Sequence, residues 1–138
     1  MSTLLTLLVA CLSLAPLPPP RPAAPAGAEV YFISPDDGDT LGQTFTVRFG
    51  LRGMGVAPAG INTDKTGHHH LMVDVDLLPD LTFPLPNDEQ HRHFGAGQTE
   101  VELTLPPGKH TLQLVVGDYL HMVHEPPVMS KKITVTVK

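Results

Sequence analysis

The stretch that decides the fold is Thr44-Phe45-Thr46-Val47-Arg48-Phe49, in which polar and apolar residues alternate without interruption. Because neighbouring side chains of a β-strand point to opposite faces, this alternation places Phe45, Val47 and Phe49 together on one buried face. No long helical period of apolar residues follows Glu29. The sequence therefore predicts an all-β domain.

Five further segments predict short strands of the same kind. They are short apolar or alternating runs bounded by turn-forming residues, and they comprise residues 30–33, 68–76, 101–105, 109–116 and 133–137. Strands of this length and spacing, in a domain of about 110 residues, are typical of two packed antiparallel sheets. We therefore expect an immunoglobulin-like antiparallel β-sandwich of about seven short strands. We also expect Pro106-Pro107-Gly108 to join two strands as a hairpin.

The first 28 residues differ in character from the rest of the chain. Residues 4–15 form an apolar run of signal-peptide length, which is too short to cross a bilayer as a helix. A segment rich in proline and alanine follows and ends at Ala26-Gly27-Ala28, a pattern of small residues that suits signal peptidase. We therefore expect residues 1–28 to be a leader and residues 29–138 to be an exported domain, periplasmic or secreted.

Cys11 is the only cysteine of the chain. The sequence Leu8-Val9-Ala10-Cys11 resembles a lipobox, so a lipoprotein attached through Cys11 is the alternative to a cleaved leader. In both cases residues 29–138 contain no cysteine, which excludes a disulfide, a thiol nucleophile and a thiolate metal ligand from the domain. We expect no membrane insertion of the domain itself.

The charge of the chain is negative. Nine lysines and arginines stand against 14 aspartates and glutamates, which gives a formal net charge of −5. Loss of Arg21 with the leader leaves eight basic residues and a net charge of −6. Since no basic stripe is present to meet phosphates, we expect no nucleic-acid partner. An acidic domain is compatible with the attraction of cations. The sequence does not identify a protein partner.

The eight histidines all lie in the predicted domain, and most of them are grouped. Neutral imidazole is the usual nitrogen ligand of zinc and copper near neutral pH. Side chains at positions i and i+2 of a strand project from one face about 6.6 Å apart, so that two rings can share an ion. The candidate metal ligands form three groups: His68, His69 and His70; His91 and His93; His121 and His124.

Two histidines share the strand parity of their aliphatic neighbours. These are His69, which alternates with Leu71 and Val73, and His110, which alternates with Leu112. This parity favours a hydrogen-bonded core histidine over a ligand at both positions. His69 stays among the candidates as a member of the triplet, from which we expect one or two ligands.

Other side chains near the histidine groups offer additional chemistry. Met122 and Met129 carry thioethers, which favour Cu(I) over zinc where they coordinate. Carboxylates are ligands or fix the tautomer of a bound imidazole, and those closest in sequence are Asp88, Glu89, Asp118 and Glu125. The metal is therefore expected to be a copper or zinc ion.

Three classes of function fit these residues. The first is a metal-binding domain, which acts as a copper or zinc carrier, buffer or sensor. The second is an interaction domain without metal, in which the histidines form a structural or pH-responsive network. The third is a metal-dependent enzyme, an oxidoreductase or hydrolase in which a metal with an open position activates oxygen or water. The residues favour binding over catalysis and identify no catalytic group.

Several motifs are distributed over the whole predicted domain. They comprise residues 30–38 and 53–60, Thr66-Gly67-His68-His69-His70-Leu71, His93-Phe94-Gly95, residues 107–114, and residues 117–128 with His121 and His124. In these motifs the chain resembles the uncharacterised bacterial domain-of-unknown-function family 4399. The resemblance implies a periplasmic or secreted setting, and it assigns no activity.

Overall fold

The computed structural model describes residues 15–17 and 20–138. Cys11 and most of the predicted apolar run lie outside these residues. The strands are β1 (Glu29–Ser34), β2 (Thr40–Leu41), β3 (Thr44–Arg52), β4 (Gly55–Val56), β5 (Thr66–Val73), β6 (His91–His93), β7 (Glu100–Thr104), β8 (Gly108–Gly117) and β9 (Ile133–Val137). Within the described ranges, no helix is long and apolar enough to span a bilayer.

The strands form two sheets, which confirms the prediction of an all-β sandwich. One sheet has the order β1-β3-β7, and the other has the order β2-β9-β8-β5-β4, with β6 also paired to β5. The pairings are antiparallel except for β2 with β9 and β4 with β5, which are parallel. These exceptions involve strands of two residues that the alternation pattern could not detect. The immunoglobulin-like topology stays a prediction.

The predicted hairpin at Pro106-Pro107-Gly108 is wrong. β7 pairs with β3 in the three-stranded sheet, whereas β8 pairs with β5 and β9 in the other sheet. The backbone N–H of Leu105 donates to the carbonyl of Gln43 and not to β8. Because the two prolines have no N–H to give to a ladder, the segment is suited to a crossing between the sheets.

The core between the sheets follows the predicted parity. Val47 and Phe49 of β3 are buried and pack in one cluster with Leu71 of β5, Leu114 of β8 and Val135 of β9. Complete burial of such a side chain contributes about 1.5–3 kcal/mol relative to exposure. The alternating segments of the sequence therefore supply the facing surfaces of the sandwich.

The larger sheet is also covered on its outer face, which points away from this core. There Met72 of β5 and Val115 of β8 pack with Val75, Leu85 and Val123 from the loops that follow these strands. All residues of β5 after Thr66 are buried as a result. The covered outer face is where the polar residues of β5 meet the loops.

Candidate metal centre

The site begins with two histidines of β5 that project from its outer face. His68 and His70 are 0% and 2% exposed, and their Nε2 atoms lie 3.0 Å apart. His68 pairs with Gly117 and His70 with Val115 of β8, so that the ladder fixes both backbones. The predicted i, i+2 pair is therefore brought together in the structure.

His93 comes from β6, on the other side of β5. It pairs directly with His70 in the antiparallel register. Since paired residues of neighbouring strands project to the same face, this register places the ring of His93 beside that of His70. The two ring centroids are 5.1 Å apart.

His121 comes from the loop after β8 and adopts a φ of 67°. Residues other than glycine seldom occupy this left-handed region, and histidine is, with asparagine and aspartate, among those that do so most often. Asp118 holds the turn, because its carbonyl accepts from the N–H of His121 and its Oδ1 accepts from the N–H groups of Leu120 and Met122. The turn places Nε2 of His121 at 3.2 Å from Nε2 of His93.

The four rings form one group, which we call the imidazole cluster. All six pairs of ring centroids lie between 4.8 and 5.9 Å apart. In three of the residues, one ring nitrogen each lies within 4.8 Å of the others, and these three are His68, His70 and His93. Three separate segments of the chain thus deliver their imidazoles to one point.

Two glycines leave the space that the rings occupy. A Cβ on residue 95 would overlap the ring of His93, with its Nε2 only 2.6 Å away. A Cβ on residue 117 would lie 3.1 Å from Nε2 of His70 and 3.3 Å from the backbone of His121. Sequence reasoning did not select Gly95 or Gly117 as site residues, because nothing in a single sequence shows which ring will lie over which backbone.

Burial favours the neutral form of His68, His70 and His93. It lowers the pKa of His68 to about 4, with the neighbouring His121 and His93 as further causes. The pKa of His70 is lowered still more, first by burial and then by the charges of His68, His93 and His121. Burial and His121 also lower the pKa of His93. Neutral imidazole is the form that binds a metal.

The separation of the nitrogens fits ligands of a shared ion. With zinc–nitrogen bonds of about 2.0–2.1 Å, two tetrahedral ligand nitrogens lie about 3.3–3.4 Å apart. The observed Nε2 pairs lie at 3.0 and 3.2 Å. The Nδ1 atoms of His68 and His70 are buried without a hydrogen-bond partner. Both ring nitrogens of His69 are unpaired as well, so unpaired nitrogens are not specific to the cluster.

The other predicted ligands lie outside the imidazole cluster. His69 faces the sandwich core, 5.1 Å from the ring of Phe49, and neither of its ring nitrogens has a hydrogen-bond partner. His91 is held by Asp88, whose carboxylate lies 2.8 Å from its Nδ1. His124 is buried and its Nδ1 lies 3.4 Å from the carbonyl of Val116.

His110 lies in the core with both ring nitrogens hydrogen-bonded, as its parity predicts. Its Nδ1 is 2.7 Å from Oδ2 of Asp74, and its Nε2 donates to the carbonyl oxygen of Pro106 at 2.8 Å. Burial lowers the pKa of this imidazole, but the hydrogen bonds to Asp74 and Pro106 and the charge of Asp74 exceed this effect and raise it.

Three of the four predicted carboxylates have other partners. Asp88 binds His91, Asp118 holds the turn of His121, and Glu125 forms an ion pair with Arg21. In the part of the chain that the structure describes, no carboxylate joins the group of His68, His70 and His93. The donor set of the cluster therefore consists of imidazole nitrogen.

The two sheets and the clustered imidazoles define an all-β sandwich protein with a buried histidine centre. The profile of the family described as "Domain of unknown function (DUF4399)" matches residues 47–138, which is two thirds of the chain and includes all four clustered histidines. The chain belongs to this family, which confirms the resemblance seen in its motifs.

Comparison with other proteins adds no function. No curated protein matches the chain. The X-ray structure of the endo-beta-1,4-mannanase from Thermotoga petrophila is similar over 80% of this chain and 20% of its own, with 21% sequence identity and a TM-score of 0.46. The chain thus spans about a fifth of that protein, and a similarity of this size carries no argument.

Proposed function

We propose that this protein is an exported metal-binding domain that holds one copper or zinc ion in the imidazole cluster. One observation carries the proposal: rings from β5, β6 and the loop after β8 converge with centroids 4.8–5.9 Å apart and Nε2 pairs at 3.0 and 3.2 Å. Export rests on the apolar N-terminal run and its signal-peptide length.

The donor set restricts the metal. Magnesium and calcium take oxygen ligands, and the cluster offers only imidazole nitrogen. Imidazole suits zinc, copper, nickel and iron, of which zinc and copper are the ions that the histidine groups predict. The proposal therefore names a copper or zinc ion.

The number of ligands favours binding over catalysis. Catalytic zinc sites use three protein ligands and keep the fourth position for water or substrate, whereas closed sites use four. Here His68, His70 and His93 have nitrogens in one close group, and His121, whose Nε2 lies 3.2 Å from that of His93, offers a fourth imidazole. His68 and His70 are fully buried, while His93 and His121 are partly exposed. A site that four imidazoles can complete suits a carrier, buffer or sensor. The partly exposed pair marks the side from which an ion would enter.

Elemental analysis of the purified chain tests the proposal. The metal-free protein is incubated with Zn²⁺ or Cu²⁺, desalted and measured for bound ion, beside His93→Gln and the control His91→Gln. His91 lies on the same strand but outside the cluster. We expect about one ion per chain in the wild-type protein and in His91→Gln, and loss of most bound ion in His93→Gln.

Absence of bound copper and zinc in the wild-type protein would overturn the proposal. The histidines would then form a network without metal. In that case the free energy of unfolding would not change when metal is added, but it would fall as the pH drops from about 7 to 5. Equal loss of metal from His91→Gln and His93→Gln would instead show that the cluster is not the binding site.

A further inference from the structure

The shape of the imidazole cluster carries information about the kind of ion. In a square-planar site the four ligands have two diagonals, each about 1.4 times the length of a side. These diagonals join two pairs that share no member. A tetrahedral site has six equal separations.

The ring separations do not contain such diagonals. The three ways to divide the cluster into two pairs give centroid distances of 4.8 and 4.8 Å, 5.0 and 5.1 Å, and 5.0 and 5.9 Å. None of these divisions consists of two long distances. The rings are therefore arranged more like a tetrahedron than like a square, and the arrangement is opened at His121, which lies outside the group of close nitrogens formed by His68, His70 and His93.

The scaffold opposes a change to a planar arrangement. His68 and His70 are fixed in the ladder with β8, and His93 is fixed to His70 by the pairing of β6 with β5. A planar set would require the rings to rearrange within a packed interior, which resists deformation. Of the four residues, only His121 lies outside a strand.

From this geometry we infer that the centre selects ions that prefer tetrahedral coordination, Zn(II) or Cu(I), over the planar ions Cu(II) and Ni(II). The inference rests on the proposed function and adds the class of ion to it. Copper(II) binds most nitrogen sites more tightly than zinc does. A site made only of imidazole nitrogen can reduce the higher affinity of Cu(II) relative to Zn(II) only through the geometry that it imposes on the ion.

Cobalt(II) is the probe, because its visible absorption is intense in a tetrahedral site and weak in an octahedral one. The metal-free full-length chain is titrated with Co²⁺ and then with Zn²⁺. Separate samples are titrated with Ni²⁺ and, under anaerobic conditions, with Cu(I). We expect an intense band that saturates at one equivalent, is abolished in His93→Gln, is kept in His91→Gln, and is displaced by Zn²⁺ or Cu(I). The more effective competitor identifies which tetrahedral ion the site prefers.

Two failures are distinguishable. The inference would be overturned if Co²⁺ bound stoichiometrically but absorbed only weakly, or if Ni²⁺ bound as a planar diamagnetic complex. Either result would leave the proposed metal site intact. No binding of any of these ions would overturn the proposed function itself, and the inference with it.

A second, independent observation concerns the segment before β1. Arg21 donates from Nε to the carbonyl of Val123 at 2.9 Å, and its guanidinium also contacts Glu125 and the carbonyl of His124. The backbone of Glu125 donates to the carbonyl of Pro22 and accepts from the N–H of Ala24. The segment thus binds the loop that contains His121 through hydrogen bonds and an ion pair.

The same segment packs farther along its length. Ala24 and Ala28 contact the hydrophobic core. Gly53 has a φ of 76°, and a Cβ there would lie 2.8 Å from the backbone nitrogen of Ala28. The segment Arg21–Ala28 therefore has the contacts of a structural element of the domain, although its sequence resembles the end of a leader.

We propose that the functional chain keeps residues 21–28, so that any removal of a leader takes place before Arg21. The full-length chain is produced in a bacterium with its own N-terminus, and the intact mass of the exported form gives its first residue. We expect a first residue at or before Arg21. A first residue at any position from 22 to 29, or later, would overturn the proposal.

Discussion

Nε2 of His121 lies 3.2 Å from Nε2 of His93, although 28 positions separate the two residues in the chain. The strand β6 brings His93 to the edge of β5, and the turn held by Asp118 brings His121 over the end of β8. These two rings are the more exposed members of the cluster, above the buried His68 and His70. Under the proposed function, the side of the cluster formed by these two rings is the one from which an ion would enter.

Gly95→Ala should weaken metal binding without unfolding the protein. The new methyl group would overlap the ring of His93, and this ring turns away more easily than the backbone moves. We expect at least a tenfold rise in the metal Kd, which corresponds to about 1.4 kcal/mol. Competition titration with a chelator of known affinity measures it.

Gly42→Ala is the control for this substitution. Residue 42 has nothing within 4 Å of an added Cβ. Its metal Kd should equal that of the wild-type chain, and an equal Kd for Gly95→Ala would show that the position of the His93 ring does not matter for binding.

His110 should stabilise the fold more at low pH than at high pH. Its pKa is raised in the folded protein, so the folded state binds the proton more tightly than the unfolded state does. The contribution is complete below the unfolded pKa of about 6.5 and is lost as the pH rises through the folded pKa. Urea unfolding of the wild-type chain and Asp74→Asn between pH 5 and 9 measures it.

In Asp74→Asn this part of the pH dependence should be reduced. The difference between the two proteins should be at most about 1 kcal/mol, because the carboxylate of Asp74 is 42% exposed. Parallel curves for the two proteins over the whole range would contradict the assignment.

Leu114→Ala should strongly destabilise the sandwich. Leu114 is 0% exposed in the core between the sheets, where a truncated leucine costs about 2–5 kcal/mol. Leu77→Ala is the control, since Leu77 is 87% exposed and should change the free energy of unfolding by less than about 0.5 kcal/mol. Chemical denaturation gives both values, and similar losses would refute the assigned core.

Arg21→Gln should loosen the loop that carries His121. Removal of the contacts of a partly buried guanidinium should cost about 1–3 kcal/mol of unfolding free energy and raise the metal Kd. Arg48→Gln is the control, because Arg48 forms an exposed ion pair with Glu100 that contributes at most about 1 kcal/mol. Thermal unfolding with and without metal compares them, and an unchanged Kd in Arg21→Gln would separate this contact from the metal centre.

The sequence by itself determined the sandwich class and the faces of the main strands. Period-two alternation reports which side of a strand a residue occupies, so Val47 and Phe49 were predicted inside, and His68 and His70 were predicted to share a face. His110 was separated from the ligands by the same parity. These properties depend on the geometry of one strand, and the local sequence is therefore sufficient to predict them.

Only the tertiary structure decided which histidines meet. The pairs His91/His93 and His121/His124 were each predicted as units, yet one member of each joins the cluster, because strand register and a left-handed turn choose between them. Register and sheet membership depend on contacts between distant segments, and the crossing at Pro106-Pro107-Gly108 was mispredicted for that reason. Local pattern fixed the direction of each imidazole, and long-range packing fixed its neighbours.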